Sequence, residues 1–298
     1  MMSMALMPMK GRMMHDLQGN LTFLAYGKEG QYINSISRTG LNIVLMDEAE
    51  KSGVNLFFNH RCTNIDFEKT SLTLQAIGAA SSQTFDFDVI IGADGAFSAV
   101  RSAMQITDRF NYHQEYIDHG YKELHIPAGP GGSFTLDKNA LHIWPRESYM
   151  MIALPNPDGS FTCTLFYPFD GPQSFNALKS GKHVKEFFKS SFPDAVRLMP
   201  QFLEDFQSNP ISSLVTIRCF PWTRNNCLLI GDAAHAIVPF YGQGMNAGFE
   251  DCRILNQLLE EHHDEWGKTL SQFERVRKRD TDAIAQLASG RHYDHPVL

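Results

Sequence analysis

Two short stretches have the residue types and spacing to do chemistry. The first is CLLIGDAAHAIVPFYGQGMNAGFEDC, from Cys227 to Cys252. An apolar run, Cys227–Ile230, stops at Gly231-Asp232, as a buried strand delivering one carboxylate to a cleft would. After a short apolar loop over 233–240, the turn Gly242-Gln243-Gly244 lets backbone approach a planar ligand, because glycine has no Cβ. A helix opening near Met245, with Phe249, Cys252, Leu255 and Leu259 at helical spacing, would aim free N–H groups and a positive dipole end at that ligand. Acid, glycine turn and helix N-terminus suit a ligand with a polyol and a part that becomes anionic. The second stretch is GADGAFSAVR, Gly92–Arg101, where an apolar run over 85–91 ends in an Asp94-Gly95 turn and a helix with an early serine. That is ligand-loop geometry, although an Asp-Gly after a strand is more often only a turn.

The first stretch resembles the second FAD-contacting motif of the single-component, class A flavin-dependent aromatic hydroxylases, in the wording of the kynurenine 3-monooxygenases. The strings HGYKEL (119–124), LHIWPR (141–146) and SFTCTLF (160–166) resemble the same branch, and GADGAFSAVR resembles the family's DG motif. The likeness covers nearly all of residues 10–288. It implies FAD as cofactor and NADPH as co-substrate. Asp232 would then meet the ribityl chain, and Gln243, Gly244, Met245 and Asn246 would lie along the isoalloxazine. Asp94, Gly95, Ala99, Cys62 and Arg38 would belong to the cofactor site, with Asp94-Gly95 also serving transient NADPH docking. A helix-start ion pair is the equal alternative for Arg38.

By the same resemblance Arg12 and Tyr26 bind a substrate carboxylate. Arginine suits this because its planar fork can serve both oxygens, and a phenol adds a donor. Read without the family, Arg12 is a solvated basic residue beside Lys10. Leu141, Met150, Ile152, Thr164 and Phe166, with Pro239 and Phe240, would line the aromatic pocket, although each taken singly reads as core. The implied reaction is hydroxylation of L-kynurenine to 3-hydroxykynurenine with NADPH and O2, a step of tryptophan catabolism toward quinolinate and NAD. A phenolic acid as substrate, or a remnant without activity, are the alternatives. No general base is evident.

The expected fold class is α/β (α+β), a Rossmann-like FAD-binding hydroxylase domain with an inserted antiparallel-sheet substrate domain. Residues 1–115 and 214–262 would form the flavin domain, 116–213 the inserted sheet, and 263–298 a helical end. No strand is expected before His15. Further strands are expected over 32–37, 55–58, 62–67, 71–76, 85–91, 141–145, 149–154, 161–166 and 214–218. Helices are expected over 38–51, 184–192, 195–206 and 268–287, the last with Leu270, Phe273, Val276, Ile284 and Leu287 apolar. The turn Pro155–Ser160 should close a hairpin. Gly129–Gly132 lacks a following helix and reads as a loop. His262-His263 point to different helix faces and read as a solvated stretch, with no metal.

There is no GxGxxG, the glycine loop that cradles pyrophosphate in this family. The sequence therefore reads as entering its fold part-way and lacking the family's C-terminal helices. These 298 residues alone are expected not to retain FAD at micromolar concentration, nor to hydroxylate kynurenine. The chain is 43% hydrophobic and 20% charged, the balance of a globular protein. A net charge of −7 argues against a nucleic-acid partner. Five scattered cysteines without CxxC fit a reducing compartment. No apolar run approaches the roughly 20 residues of a membrane span, and no signal peptide is evident. Cytoplasm is the default location, with a monomer or homodimer as the implied state.

Overall fold

The computed structural model describes residues 6–294. Strands β1 (Met7–Met9), β2 (Gly11–His15), β3 (Leu21–Ala25) and β4 (Ile33–Ser35) lead to helix α1 (Arg38–Lys51). β5 (His60–Asp66), β6 (Ser71–Ala76), β7 (Gln83–Asp86) and β8 (Ile90–Gly92) precede α2 (Ala99–Gln105). The long β9 (Asn111–Ile126) is followed by β10 (Ala140–Arg146), β11 (Tyr149–Pro155), β12 (Phe161–Pro168), α3 (Gly181–Ser191) and α4 (Phe202–Ser208). Then come β13 (Ser212–Phe220), β14 (Thr223–Arg224), β15 (Cys227–Leu229), the one-turn α5 (Asp232–His235), α6 (Gly244–Glu261) and α7 (Trp266–Asp294). The chain makes two compact units, one of 6–56 with Asp118–Ser213, the other of Phe57–Ile117 with Leu214–Asp294.

In the first unit the sheet runs β9-β12-β11-β10-β2-β3. All neighbours are antiparallel except β2, which lies parallel to β10 with Arg12 opposite Leu141. β10 and β11 alternate strictly between buried and half-buried residues, so one face of the sheet is core and the other is partly open. Helices α3 and α4 cover the core face. Ser180 caps α3 by accepting from the His183 N–H, and Val184, Phe188 and Ser191 form its buried stripe. Phe161, Phe188, Phe192, Met151 and Trp144 are fully enclosed there, each contributing about 2–3 kcal/mol by burial. The expected hairpin closes at Asn156–Ser160, where the Asn156 N–H donates to Ser160 O at 2.8 Å. The lysine of HGYKEL ends α4: Lys122 Nζ donates to Phe206 O at 2.7 Å and Asn209 O at 2.5 Å. A cation at a helix C-terminus meets carbonyls that have no partner within the helix.

In the second unit β15 runs parallel to β8, with Leu229 opposite Gly92, and β14 flanks β15. β5, β6 and β7 form an antiparallel meander. The core gathers Ile90, Val100, Met104, Trp222, Leu228, Leu229, Leu255 and Phe273. Gly92 is required by packing: a Cβ there would lie 2.8 Å from Val100 Cβ on α2.

Several expectations are corrected. The stretch before His15 does contain strands, β1 and β2; its alternation is written in methionines around Lys10 and Gly11, which carry little strand signal. Residues 55–58 belong to no strand. The single strand expected over 85–91 is two, because β7 closes the meander and β8 starts a separate ladder. The helix expected over 195–206 is a short 3-10 turn, Ala195–Leu198, and then α4, with Pro200 between them. The loop 233–240 is largely helical turn, α5 and a 3-10 turn at Pro239–Tyr241. α7 also runs past its expected end at Leu287 to Asp294.

Candidate functional site

Parallel pairing of β8 with β15 brings two loops out at the same end. Leu229 faces Gly92, and the Ile230 N–H donates to Gly92 O at 3.0 Å, so Gly231-Asp232 and Asp94-Gly95 emerge side by side. Carboxyl ends of adjacent parallel strands are where α/β folds hold ligands. Arg101, 2% exposed, joins the two loops by donating to Ala233 O at 2.8 Å and Ala96 O at 2.5 Å. Asp94 has a structural duty as well: its Oδ2 accepts from the Ala99 N–H at 2.7 Å and the Val100 N–H at 3.3 Å, and so caps α2. Cys62 on β5 lies near enough that the Asp94 charge adds to burial in pushing its thiol pKa up.

Asp232 opens α5 directly after Gly231, whose φ of 58° and ψ of −144° suit glycine alone. Its carboxylate is exposed and makes no hydrogen bond among the described residues. The turn before α6 has Gly242 in the left-handed region at φ 63°, and Gln243 at the N-cap with no side-chain capping bond. The first N–H groups of α6 therefore stay available. Met245 and Asn246 are exposed, and Asn246 Nδ2 donates to Gln243 Oε1 at 3.1 Å. A Cβ at Gly244 would meet nothing nearer than Ile237 Cγ1 at 3.9 Å, so the turn presents an open face. A free carboxylate for hydroxyls, uncapped N–H donors for an anionic edge and an open glycine face fit the isoalloxazine and ribityl parts of a flavin. Pro239 is exposed and Phe240 half-buried on the neighbouring 3-10 turn.

Behind these loops lies a group that sequence reading missed. Asp251, fully buried on α6, accepts from the Gly231 N–H at 2.8 Å, His235 Nε2 at 2.6 Å and Arg277 Nε at 2.8 Å. Arg277 Nη2 also donates to Ala247 O at 3.2 Å. Burial pushes the Asp251 carboxyl up, and the His235, Gly231 and Arg277 bonds outweigh it, so the group sits below the usual carboxylate range. These charges also rotate the expected helix faces. α6 buries Ala247, Asp251, Leu255 and Leu258, leaving Phe249 43% exposed, and α7 buries Arg277, leaving Val276 and Leu287 exposed. Apolar periodicity missed this because a paired acid and base occupy core positions. The available signal was a carboxylate one turn after Ala247 and one turn before Leu255.

In the first unit the half-buried sheet face carries Leu141, Met150, Ile152 and Thr164, with Phe166 buried on β12 beside them, while Pro239 and Phe240 belong to the second unit. Ile143 on β10 faces Ile152 on β11, which faces Thr164 on β12; Met150 faces Phe166. Arg12 stands opposite Leu141 on one side and Leu24 on the other. Its guanidinium carbon lies 5.4 Å from the Tyr26 ring centroid. Burial raises the Tyr26 phenol, and the Arg12 hydrogen bond and charge pull it the other way. Arg12 has no acidic partner among the described residues, so its charge is uncommitted. Arg38 stands at the start of α1 and forms no ion pair among the described residues.

The opposite face of the same strands is locked by a buried polar chain. His15 Nδ1 meets Asp194 Oδ2 at 2.8 Å, His15 Nε2 meets His142 Nδ1 at 2.9 Å, and His142 Nε2 meets Asp137 O at 2.9 Å. Trp144 Nε1 donates to Asp194 Oδ2 at 2.9 Å. A carbonyl only accepts, so His142 donates through Nε2 and accepts at Nδ1 from His15 Nε2. Burial lowers His142 to about 4. Burial would raise Asp194, but bonds from His15 and Trp144 bring it to about 2. Both folded values lie below the ordinary ones of 6.5 and 3.8. The His142 contribution is therefore full above pH 6.5 and is lost as pH falls toward 4, and the Asp194 contribution is full above 3.8 and is lost as pH falls toward 2. Each pKa unit is worth about 1.4 kcal/mol. Thermal melts should shift downward from pH 7 to pH 4.5, and His142→Gln should flatten that slope; an unchanged slope in the variant would assign it to other groups.

Residues 3–287 match the family described as an FAD binding domain. The chain belongs to that family. Curated relatives of the chain include the kynurenine 3-monooxygenases of Flavobacterium psychrophilum, 50% identical over 281 residues, and of Dictyostelium discoideum, 48% identical over 296. Each alignment covers 94% of the chain, and 63% and 64% of the respective relative. The chain thus spans somewhat under two thirds of these relatives' length. Among solved structures, the tetrameric form of 2-methyl-3-hydroxypyridine-5-carboxylic acid oxygenase overlays at a TM-score of 0.76 with 22% identity, covering 95% of this chain and 72% of that one. Tetracycline destructase Tet(51) overlays at 0.65 with 17% identity, covering 95% and 71%. The fold is the mixed α/β fold shared with these two enzymes, and FAD is the family's cofactor. No helix among the described residues is long and apolar enough to cross a membrane.

Proposed function

We propose that the chain carries the flavin-contacting and substrate-facing parts of an NADPH- and O2-dependent monooxygenase that converts L-kynurenine to 3-hydroxykynurenine. The observation that carries this reading is Arg12 beside Tyr26, with uncommitted charge, at one end of an apolar sheet face. A flat amino acid with a carboxylate at one end and an aniline at the other matches that layout. The identity to kynurenine 3-monooxygenases supports the same substrate.

Arg12 and Tyr26 hold the carboxylate, and the Leu141, Met150, Ile152, Thr164 and Phe166 surface receives the ring and keeps water from it. Asp232 would hold the ribityl hydroxyls of bound FAD. The uncapped N–H groups of Gly244–Asn246 would stabilise negative charge on the bound ring. Bound FAD would supply the redox chemistry, taking hydride from NADPH and activating O2. Because kynurenine's aniline nitrogen already activates its ring, the chain's task is positioning and charge stabilisation, and no side chain is assigned as base.

The test is a chimera carrying this chain in place of the matching 281 residues of the Flavobacterium psychrophilum relative. L-kynurenine should stimulate its NADPH oxidation strongly, and simple phenols weakly. Equal or faster turnover with p-hydroxybenzoate or salicylate would replace kynurenine by a phenolic acid.

A further inference from the structure

Asp251 touches neither open loop surface, yet it is bonded to both segments that bear the flavin-facing groups. Its Oδ2 holds the Gly231 N–H, which fixes the strained turn ahead of Asp232. The same oxygen holds His235, the last residue of α5. Its Oδ1 holds Arg277, and Arg277 reaches Ala247 O in the first turn of α6. One carboxylate thus sets the Asp232 turn and the α6 N-terminus in register with each other, with α7 as the brace. Arg277 has a second effect. An unpaired buried carboxylate two turns into α6 would oppose the positive end of that helix; paired with Arg277, it does not.

We propose that Asp251, with His235 and Arg277, is the positioning centre of the flavin site: it aligns the Asp232 carboxylate with the α6 N–H donors and keeps that helix end positive. This rests on the flavin reading above. A merely structural role would lower the melting temperature of variants and leave their flavin affinity and local backbone protection alone.

The experiment uses the whole chain, with FAD binding followed by flavin fluorescence well below each variant's melting temperature, and amide hydrogen exchange without flavin. Asp251→Asn places an amide donor against the donors of Arg277 or Gly231. FAD affinity should fall at least ten-fold, and exchange should quicken at 231–235 and 244–247 before it does elsewhere. Arg277→Met should do the same by leaving the carboxylate unpaired. The double variant Asp251→Asn/Arg277→Met keeps an acceptor for Gly231 and His235 and removes both charges; it should regain folding stability and most of the affinity. Single variants that melt earlier but bind FAD as the wild type does, with exchange raised evenly, would overturn the proposal while leaving the flavin reading standing. A wild-type chain with no saturable FAD binding would remove both.

Discussion

Asp194→Ala should destabilise the first unit by about 3 kcal/mol, toward the low end for leaving two buried hydrogen-bonding groups without their partner at about 1–3 kcal/mol each. The low end applies because the Asp194 side chain is 29% exposed while His15 is 2% exposed. Asp194 Oδ2 serves two donors at once, His15 Nδ1 and Trp144 Nε1. Without it, an enclosed indole N–H and the His15 Nδ1 both lose their partner. Asp194→Asn should cost less, since an amide oxygen can still accept from one of the two. Urea unfolding monitored by far-UV circular dichroism measures both. A loss under about 0.5 kcal/mol in the alanine variant, the scale of an inert surface change, would mean that the chain of bonds relaxes onto other groups. Because His15 ends β2, the strand that carries Arg12, this anchor also bears on the substrate side.

In the chimera described above, Arg12→Ala should weaken L-kynurenine binding while FAD content stays unchanged. A charge-assisted hydrogen bond is worth about 1.5–3 kcal/mol, which is roughly 10- to 150-fold in affinity. Arg12→Lys should fall between, because lysine keeps the charge but lacks the planar fork. The effect should sit in KM and spare kcat at saturating substrate, since the carboxylate is bound equally before and during reaction. Wild-type affinity in the alanine variant would return Arg12 to the solvated basic residue that its place beside Lys10 first suggests.

What was legible in the sequence follows from how each signal is encoded. β10 to β12 were readable because alternate residues face core and open surface, and α1 was placed at Arg38–Lys51 from Leu41, Val44 or Leu45, and Ala49 falling on one side, although no residue of the helix is buried. Asp232 was readable because an apolar strand ends abruptly at Gly231. β2 was hidden by methionines, which suit helix, strand and loop alike, and one of its two partners in the sheet, β10, is remote in sequence. Asp251, Arg277, His15 and Asp194 were invisible for another reason. A charged residue reads as surface, and only its partner, far along the chain, makes burial affordable. Asp94 was readable as a ligand-loop acid, but its capping of α2 depended on the backbone geometry of Ser98–Val100.

The central claim is that Asp232 and the first turn of α6 form the flavin-contacting half of an FAD site. It is tested most directly by titrating the purified chain with FAD and following flavin fluorescence, wild type against Asp232→Ala. No glycine loop for the pyrophosphate was found in this sequence, so wild-type binding should be saturable but weaker than micromolar. Loss of the carboxylate should weaken it at least ten-fold further, the lower bound for a bond to a charged group. Absence of saturable quenching in the wild type, or an unchanged curve in Asp232→Ala, would contradict the assignment.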